Sequence, residues 1–102
     1  MSQFMQDRAK RGAEWLDEVR PGWHEDIKGY LDIKNNDCCV VGHLEGDYNT
    51  WSKNKKQAFL ESHGFFCKYD KKNSNWMKLT VAWANEINVR KNNKIALFGV
   101  AA

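Results

Sequence analysis

SQFMQDRAKRGAEWLDEV, residues 2–19, places apolar and small side chains at helical spacing. The residues on this stripe are Phe4, Met5, Ala9, Gly12, Ala13, Leu16 and Val19. Such a stripe is typical of an amphipathic helix whose apolar face packs against a core. We therefore predict a helix from about Ser2 to Val19, and the rest of the chain extends the same α-helical pattern.

A break and a short turn follow this first helix. Pro21 disfavours helical geometry for Arg20, so the Pro21-Gly22 pair is expected to end the helix. Residues 23–27, WHEDI, predict a short helical turn. The next apolar side chains, which we expect to anchor the segment in the core, are Tyr30, Leu31 and Ile33.

The middle of the chain predicts two further helices. Asp37 has a side chain suited to an N-cap, and the small apolar residues 38–44 predict a buried helix that ends at Gly46. Thr50 or Ser52 then suits the N-cap of the next helix. The apolar residues of that helix, and the glycine that would end it, are Trp51, Ala58, Phe59, Leu60 and Gly64.

The last third of the chain predicts one long helix and an apolar tail. After a polar loop at 70–75, Ser74 or Asn75 can cap a helix that runs to about Arg90. Its apolar stripe is Trp76, Leu79, Thr80, Trp83 and Ile87. The tail at 95–100, IALFGV, is expected to be a docked segment or a short strand. Together these elements predict an all-α fold, a compact single domain of four to five helices over residues 1–102, with at most a minor extended C-terminal segment.

The composition also fits one folded domain. With 42% hydrophobic and 28% charged residues among 102, the chain is globular in composition, and five tryptophans give a small core large side chains. The first residues lack the apolar stretch of a signal peptide, and no apolar run is long enough to cross a membrane. Three cysteines cannot all pair within the chain, which fits a reducing compartment. We expect a soluble, intracellular protein.

The net charge of +3 hides an uneven distribution along the chain. Residues 1–50 carry six basic and ten acidic side chains, a net charge of −4, whereas residues 51–102 carry ten and three, a net charge of +7. The two halves can neutralise each other when packed, or they can form separate surfaces. Because Arg90 is the one arginine in the basic half, that half fits attraction to phosphate better than reading of DNA bases.

Six short motifs stand in order between residues 8 and 90. They are RAKRGA at 8–13 with Leu16-Asp17, PGW at 21–23, LDI at 31–33, CVVGHLEGDY at 39–48, Gly64-Phe65, and the helix positions Leu79, Trp83 and Ile87. In this order they resemble a group of small, uncharacterised proteins encoded by bacteriophages, particularly phages of actinobacteria. The resemblance implies a viral origin, and hence action in the host cytoplasm, without implying an activity or any functional residue.

Residues 37–48, DCCVVGHLEGDY, hold two of the three cysteines and one of the three histidines. Cys39 and His43 are four residues apart, as are His63 and Cys67, and these four side chains have the donor types of a tetrahedral zinc site. Neither pair has the compact Cys-x2-Cys spacing of many structural zinc sites. A second hypothesis is a reactive thiol, since Cys38 and Cys39 would lie in the first turn of a helix. The favoured interpretation is a small-residue helix in the core, with no cofactor.

No segment contains a nucleophile elbow, a phosphate-binding glycine loop or a His-Glu-x-x-His motif. We therefore expect a binding protein rather than an enzyme, one that engages a host protein, such as a defence or transcription component, and inhibits or redirects it. The acidic half would imitate the charge of nucleic acid toward a basic surface of that partner. The residues of this acidic set are Glu14, Asp17, Glu18, Glu25, Asp26, Glu45 and Asp47.

An alternative function is binding of a nucleotide or nucleic acid by the lysine- and aromatic-rich C-terminal half. Aromatic side chains beside lysines are what stacking on a base requires, although a small domain also needs them for its core. The residues of this Lys/aromatic set are Tyr48, Trp51, Lys53, Lys55, Lys56, Lys68, Tyr69, Lys71 and Lys72.

Overall fold

Helices form the regular structure of the computed structural model, which describes residues 2–67 and 74–101. In chain order the elements are α1 (Ser2–Val19), a 3-10 turn (Trp23–Asp26), α2 (Val40–Glu45), α3 (Tyr48–Ser52), α4 (Gln57–Ser62) and α5 (Ser74–Ala101). The described residues contain no strand. The prediction of an all-α single domain of four to five helices is confirmed.

The two long helices, α1 and α5, pack side by side along the centre of the molecule. Gly12 of α1 lies against the indole ring of Trp83, and Asp17 pairs with Arg90, so the two helices run in the same direction. A Cβ atom at position 12 would come within 2.7 Å of that indole ring and would collide with the carbonyl oxygen of His63. The helices can approach this closely because residue 12 is glycine.

Helix α1 begins and ends where its sequence predicts. It spans Ser2–Val19, and Gly22 after it takes the left-handed φ of 80° that glycine tolerates. The core-facing side of α1 is Met5, Ala9, Gly12, Ala13 and Leu16. Phe4 and Val19, which the stripe places in the core, are instead exposed, because they lie at its edges and at the two ends of the helix.

Aromatic side chains fill the space between the long helices and the short ones. Trp23 and Trp83 are fully buried and meet edge to face, with ring centroids 5.8 Å apart, and Phe65 lies 5.4 Å from Trp83. A buried indole requires a hydrogen-bond acceptor for its N–H. Trp23 donates to Asp17 at 2.9 Å and Trp83 to the carbonyl oxygen of Gly64 at 2.6 Å, so both requirements are met.

The helix predicted to begin at Thr50 or Ser52 is in fact two short helices, α3 and α4. Asp47 is the cap of α3, because its carboxylate accepts hydrogen bonds from the Asn49 N–H and from the Thr50 hydroxyl. Thr50 therefore lies inside α3 rather than before it. Gly64, with φ of 75°, follows α4 as predicted.

Helix α5 is longer than its sequence stripe predicts. It begins at Ser74 and continues to Ala101 instead of ending near Arg90. Residues 95–100, predicted to be a docked segment or a short strand, continue this helix, since neither proline nor glycine interrupts the chain before Gly99. Most of the predicted polar loop at 70–75 lies outside the described residues.

Candidate functional site

Residues 37–48 build the N-terminus and the body of α2. Its cap is Cys39 and not Asp37, because the Cys39 Sγ accepts a hydrogen bond from the Gly42 N–H at 3.2 Å. Asp37 belongs to the preceding turn, in which its own N–H donates to Asn35 Oδ1. The backbone of Asp37 lies so close to Gly42 that no side chain would fit there. This packing supports the small-residue interpretation of the segment, and Gly46 ends the helix as predicted.

The thiol of Cys39 is not activated by its position at the helix start. Only 4% of the residue is exposed, and burial raises the pKa of the Cys39 thiol despite hydrogen bonds from the N–H groups of Gly42 and Val41. Desolvation outweighs these hydrogen bonds, which argues against the reactive-thiol hypothesis for this cysteine. Cys38, beside it, is partly exposed.

The four predicted zinc ligands do not come together. Cys39 is engaged as a cap, His43 Nε2 lies 2.7 Å from the carbonyl oxygen of Tyr30, and His63 Nδ1 lies 3.0 Å from a carbonyl oxygen of α4. Cys67 is buried after α4. Within residues 2–67 and 74–101, no three His, Cys, Asp or Glu side chains are placed to share a metal ion. Three of these four side chains are thus engaged in separate contacts, and the zinc hypothesis is not supported among the described residues.

The acidic set is exposed, but ion pairs neutralise part of it within the molecule. Arg20 contacts Glu45 at 2.9 Å and Asp26 at 3.4 Å, so it draws the end of α2 and the 3-10 turn together. Arg90 contacts Asp17 at 2.8 Å, and its hydrogen bond holds the pKa of Asp17 below the usual range. The carboxylates of Asp17, Asp26 and Glu45 therefore each pair with an arginine.

The other four acidic residues are divided among separate places. Asp47 is the cap of α3, and hydrogen bonds from Thr50 lower its pKa. Glu14 and Glu18 lie one turn apart on α1, and Glu25 is in the 3-10 turn. The structure brings Asp26 and Glu45 together on Arg20, and it does not place the seven residues in one group around a common contact.

The two described aromatic members of the Lys/aromatic set, Tyr48 and Trp51, pack against the core. Trp51 packs edge to face on Phe65 at 5.2 Å, and the Lys55 ammonium lies 4.3 Å from the centroid of the Trp51 ring. The Tyr48 hydroxyl is buried and has no hydrogen-bond partner among the described residues, and burial raises the pKa of Tyr48 to about 12. Lys53 and Lys56 are exposed. The members that lie outside the described residues are Lys68, Tyr69, Lys71 and Lys72. The rings of Tyr48 and Trp51 are therefore largely covered and offer little surface on which a base could stack.

An exposed apolar groove lies between α5 and residues 30–34, and we call it the α5 groove. Its volume is about 330 Å³. It is lined by Tyr30, Leu31, Trp76, Met77, Thr80 and Val81, together with the charged residues Asp32 and Lys34. Tyr30 is 71% exposed, Met77 66% and Val81 58%, the highest values among the large apolar side chains described. Large apolar side chains grouped in this way are typical of a surface that another molecule covers.

Hydrogen bonds hold both walls of the α5 groove in place. The Thr80 hydroxyl accepts from the Ile33 N–H at 3.0 Å and donates to the Trp76 carbonyl oxygen at 2.9 Å, which ties the 30–34 segment to α5. On the far side, His43 contacts the Tyr30 carbonyl oxygen. The groove is therefore formed before any partner binds, so binding would cost little ordering of these walls.

Sequence reasoning assigned Tyr30 to the core and overlooked the groove. The backbone of Tyr30 is indeed anchored, whereas Ile33 is the side chain of that segment that enters the core. Met77 and Val81 are one helical turn apart, beside the stripe that faces α1. This pair is the feature of the sequence that could have revealed the groove, because apolar residues at i and i+4 outside the buried stripe indicate a second apolar face on the helix.

Comparison of the chain with protein families, with curated proteins and with solved structures found no match. Among the described residues, no helix is both long enough and apolar enough to cross a lipid bilayer.

Proposed function

We propose that the protein acts by binding another protein and that the α5 groove is its contact surface. The observation that supports this proposal most directly is the exposure of Tyr30, Met77 and Val81 on one pre-formed concave surface. Aromatic side chains and methionine are enriched at the centres of protein interfaces. A groove of this size accommodates one or two apolar side chains of a partner, which is how the strongest contacts of an interface are commonly built.

The partner in this proposal is a host protein, which a phage-encoded chain would inhibit or redirect in the host cytoplasm. The order of motifs that resembles phage-encoded proteins supports this choice. Asp32 and Lys34, which also line the groove, carry opposite charges and would orient the partner by pairing with its complementary groups. The acidic residues outside ion pairs, Glu14 and Glu18 among them, would add long-range attraction to a basic partner.

Affinity purification from host lysate with two matched variants tests the proposal. Val81→Lys places a charge in the groove, whereas Val89→Lys places the same charge on the same helix outside it, at a side chain that is 51% exposed. We expect the wild-type protein and Val89→Lys to retain the same host protein in a fixed ratio, and Val81→Lys to lose it. Both variants should melt like the wild type, because each replaces an exposed side chain. Equal retention by Val81→Lys would contradict the proposal.

A further inference from the structure

A second groove, with a volume of about 510 Å³, lies between α1 and α4. We call it the arginine groove. Its α1 wall includes Phe4, Arg8 and Arg11, and its α4 wall includes Gln57, Glu61 and Ser62. The proposed protein contact does not involve this groove, because none of its residues lines the α5 groove.

Both guanidinium groups of the arginine groove are held in position by contacts that leave N–H donors available. The Arg8 guanidinium carbon lies 4.1 Å from the centroid of the Phe4 ring, over its face. The Arg11 Nε donates to the carbonyl oxygen of Ser62 at 2.8 Å, which fixes the plane of the group and leaves the Nη donors unused by that bond. Among the described residues, neither arginine forms an ion pair, in contrast to Arg20 and Arg90.

The spacing of the two arginines suits one shared anion. Residues three apart lie on the same face of a helix, so Arg8 and Arg11 point to the same side of α1. A carboxylate carries a single charge and would satisfy one guanidinium. A phosphate monoester carries a charge of about −1.5 to −2 at neutral pH and presents three acceptor oxygens. The two arginine guanidinium groups are planar, carry one positive charge each and present paired N–H donors, so together they match that charge and geometry.

We propose that the arginine groove binds a phosphate monoester, with the phosphoryl group held between Arg8 and Arg11. Phe4 is 53% exposed beside them and offers an apolar surface to the group that carries the phosphate. Arg8 covers one face of the ring, and the exposed remainder suits the base of a mononucleotide, which can pack edge to face against it. The shared chemistry is the phosphoryl group, and its source is either free phosphate or a nucleotide.

Glu61, on the α4 wall, is the one acidic side chain among the described residues that line the groove. Its carboxylate accepts a hydrogen bond at 3.1 Å from the side-chain amide of Gln57, one turn earlier on the same helix. It forms no ion pair with either arginine. Its negative charge opposes an anion in the groove. We therefore expect Glu61→Gln to bind inorganic phosphate more tightly than the wild-type protein does.

Titration of the full-length protein with inorganic phosphate and with AMP, followed by calorimetry or by amide chemical shifts, tests the site. We expect Arg8→Gln and Arg11→Gln each to weaken binding by about tenfold, the loss typical of one charge-assisted hydrogen-bonding partner. Lys10→Gln is the matched control, because it removes the same charge from an exposed residue of the same helix that faces elsewhere. It should change the affinity less than about twofold. Far-UV circular dichroism checks that every variant is folded.

The two ligands distinguish the possible sources of the phosphoryl group. If AMP binds more tightly than phosphate and Phe4→Ala removes the difference, the site takes a nucleotide. If both bind equally and depend on the two arginines, the site takes free phosphate, which also supports the proposal. Absence of saturable binding by either ligand, or an equal loss in Lys10→Gln, would overturn it.

Discussion

Gly12 is a residue at which a single added methyl group should disrupt the packing of the long helices. We expect Gly12→Ala to lower the free energy of unfolding by about 3 kcal/mol, the upper end of the usual cost of overpacking a core. The reason is that the new Cβ meets the backbone of His63 and the Trp83 ring, and a backbone carbonyl cannot rotate away. Urea denaturation followed by circular dichroism measures the change. Lys10→Ala, at an exposed position of α1, should lie within about 0.5 kcal/mol of the wild type, and a similarly small effect at position 12 would contradict the prediction.

The three cysteines should react with alkylating reagents in an order set by burial. Cys38 is partly exposed, whereas Cys39 is 4% and Cys67 1% exposed. Burial also raises the pKa of the Cys39 thiol, so the reactive thiolate is scarcer there at neutral pH. We expect iodoacetamide to modify Cys38 first in the folded protein, and the other two after denaturation. Peptide mass spectrometry after timed labelling gives the order, and early modification of Cys39 would refute it.

At single positions, the sequence predicts which residue types a turn or a cap requires. It does not decide which of two neighbouring residues takes the capping position. Gly46 and Gly64 lie at helix ends, as predicted, because few other residues adopt a positive φ. The sequence predicts Asp37 as the N-cap of α2, whereas in the structure the N-cap is Cys39. Both side chains can accept the hydrogen bond, and the register of the turn at Asn35 decides between them.

Between elements, the ion pair of Asp17 and Arg90 joins α1 to α5, and its contribution should depend on pH. Arg90 lowers the pKa of Asp17 in the folded protein below the value of about 3.9 expected when unfolded. The stabilisation is therefore fully present above the unfolded pKa, and it is lost as the pH falls through the folded pKa.

Comparison of Asp17→Asn with the wild type across pH measures this contribution. The asparagine oxygen can still accept from Trp23, so the variant removes mainly the charge. We expect a loss of roughly 1 kcal/mol at pH 7, since the Asp17 side chain is 45% exposed and solvent screens the pair. The difference should shrink below about pH 4. The control is Glu18→Gln, which removes a neighbouring exposed charge. If its free energy of unfolding differs from the wild type by the same amount and with the same pH dependence, the effect is not specific to the pair of Asp17 and Arg90.

Thr80 links the 30–34 segment to α5, and its loss should open the α5 groove. Thr80→Val keeps the shape of the side chain but removes the acceptor for the Ile33 N–H. We expect a loss of about 1 to 3 kcal/mol in the free energy of unfolding, because that N–H is left unsatisfied in a part-buried place. Hydrogen exchange at the Ile33 amide should accelerate more than exchange at amides of α1. Unchanged protection at Ile33 would show that the hydroxyl does not hold the segment.

Element boundaries followed from sequence where a strong breaker marks them. Pro21-Gly22 made the end of α1 predictable, whereas the division between α3 and α4 has no proline or glycine. It depends on the cap at Asp47 and on the extended backbone of Lys56. The end of α5 was misplaced because a polar run at 91–94 resembles a linker yet is compatible with a helix.

For the whole molecule, the continuous aromatic core predicts a single cooperative unfolding transition. Tryptophans from α1, the 3-10 turn, α3 and α5 contact one another directly or through Phe65. Tryptophan fluorescence should therefore change together with helix content. Urea curves recorded by fluorescence and by far-UV circular dichroism should have the same midpoint. Separate midpoints would indicate that part of the molecule unfolds independently.

The fold class was predictable from sequence because helical periodicity is local, but the two grooves were not. The α5 groove joins Tyr30 to Met77 and Val81, and the arginine groove joins α1 to α4. Each depends on residues distant in the chain and on which side of a helix remains uncovered after packing. The net charge of each half does not locate the second groove, since Arg8 and Arg11 lie in the acidic half and form no ion pair with the other described residues.

The parallel packing of α1 on α5 has a consequence for how the protein is made. The contacts of Gly12 with Trp83 and of Asp17 with Arg90 join the first fifth of the chain to its last fifth. During synthesis α1 emerges from the ribosome long before the helix that covers its apolar face. Its core-facing side stays uncovered, exposed or held by a chaperone, until the residues of α5 have also been synthesised. We therefore expect the native packing of α1 to form only after α5 has emerged from the ribosome, and the protein to fold more slowly than a helical bundle whose sequence neighbours pack together.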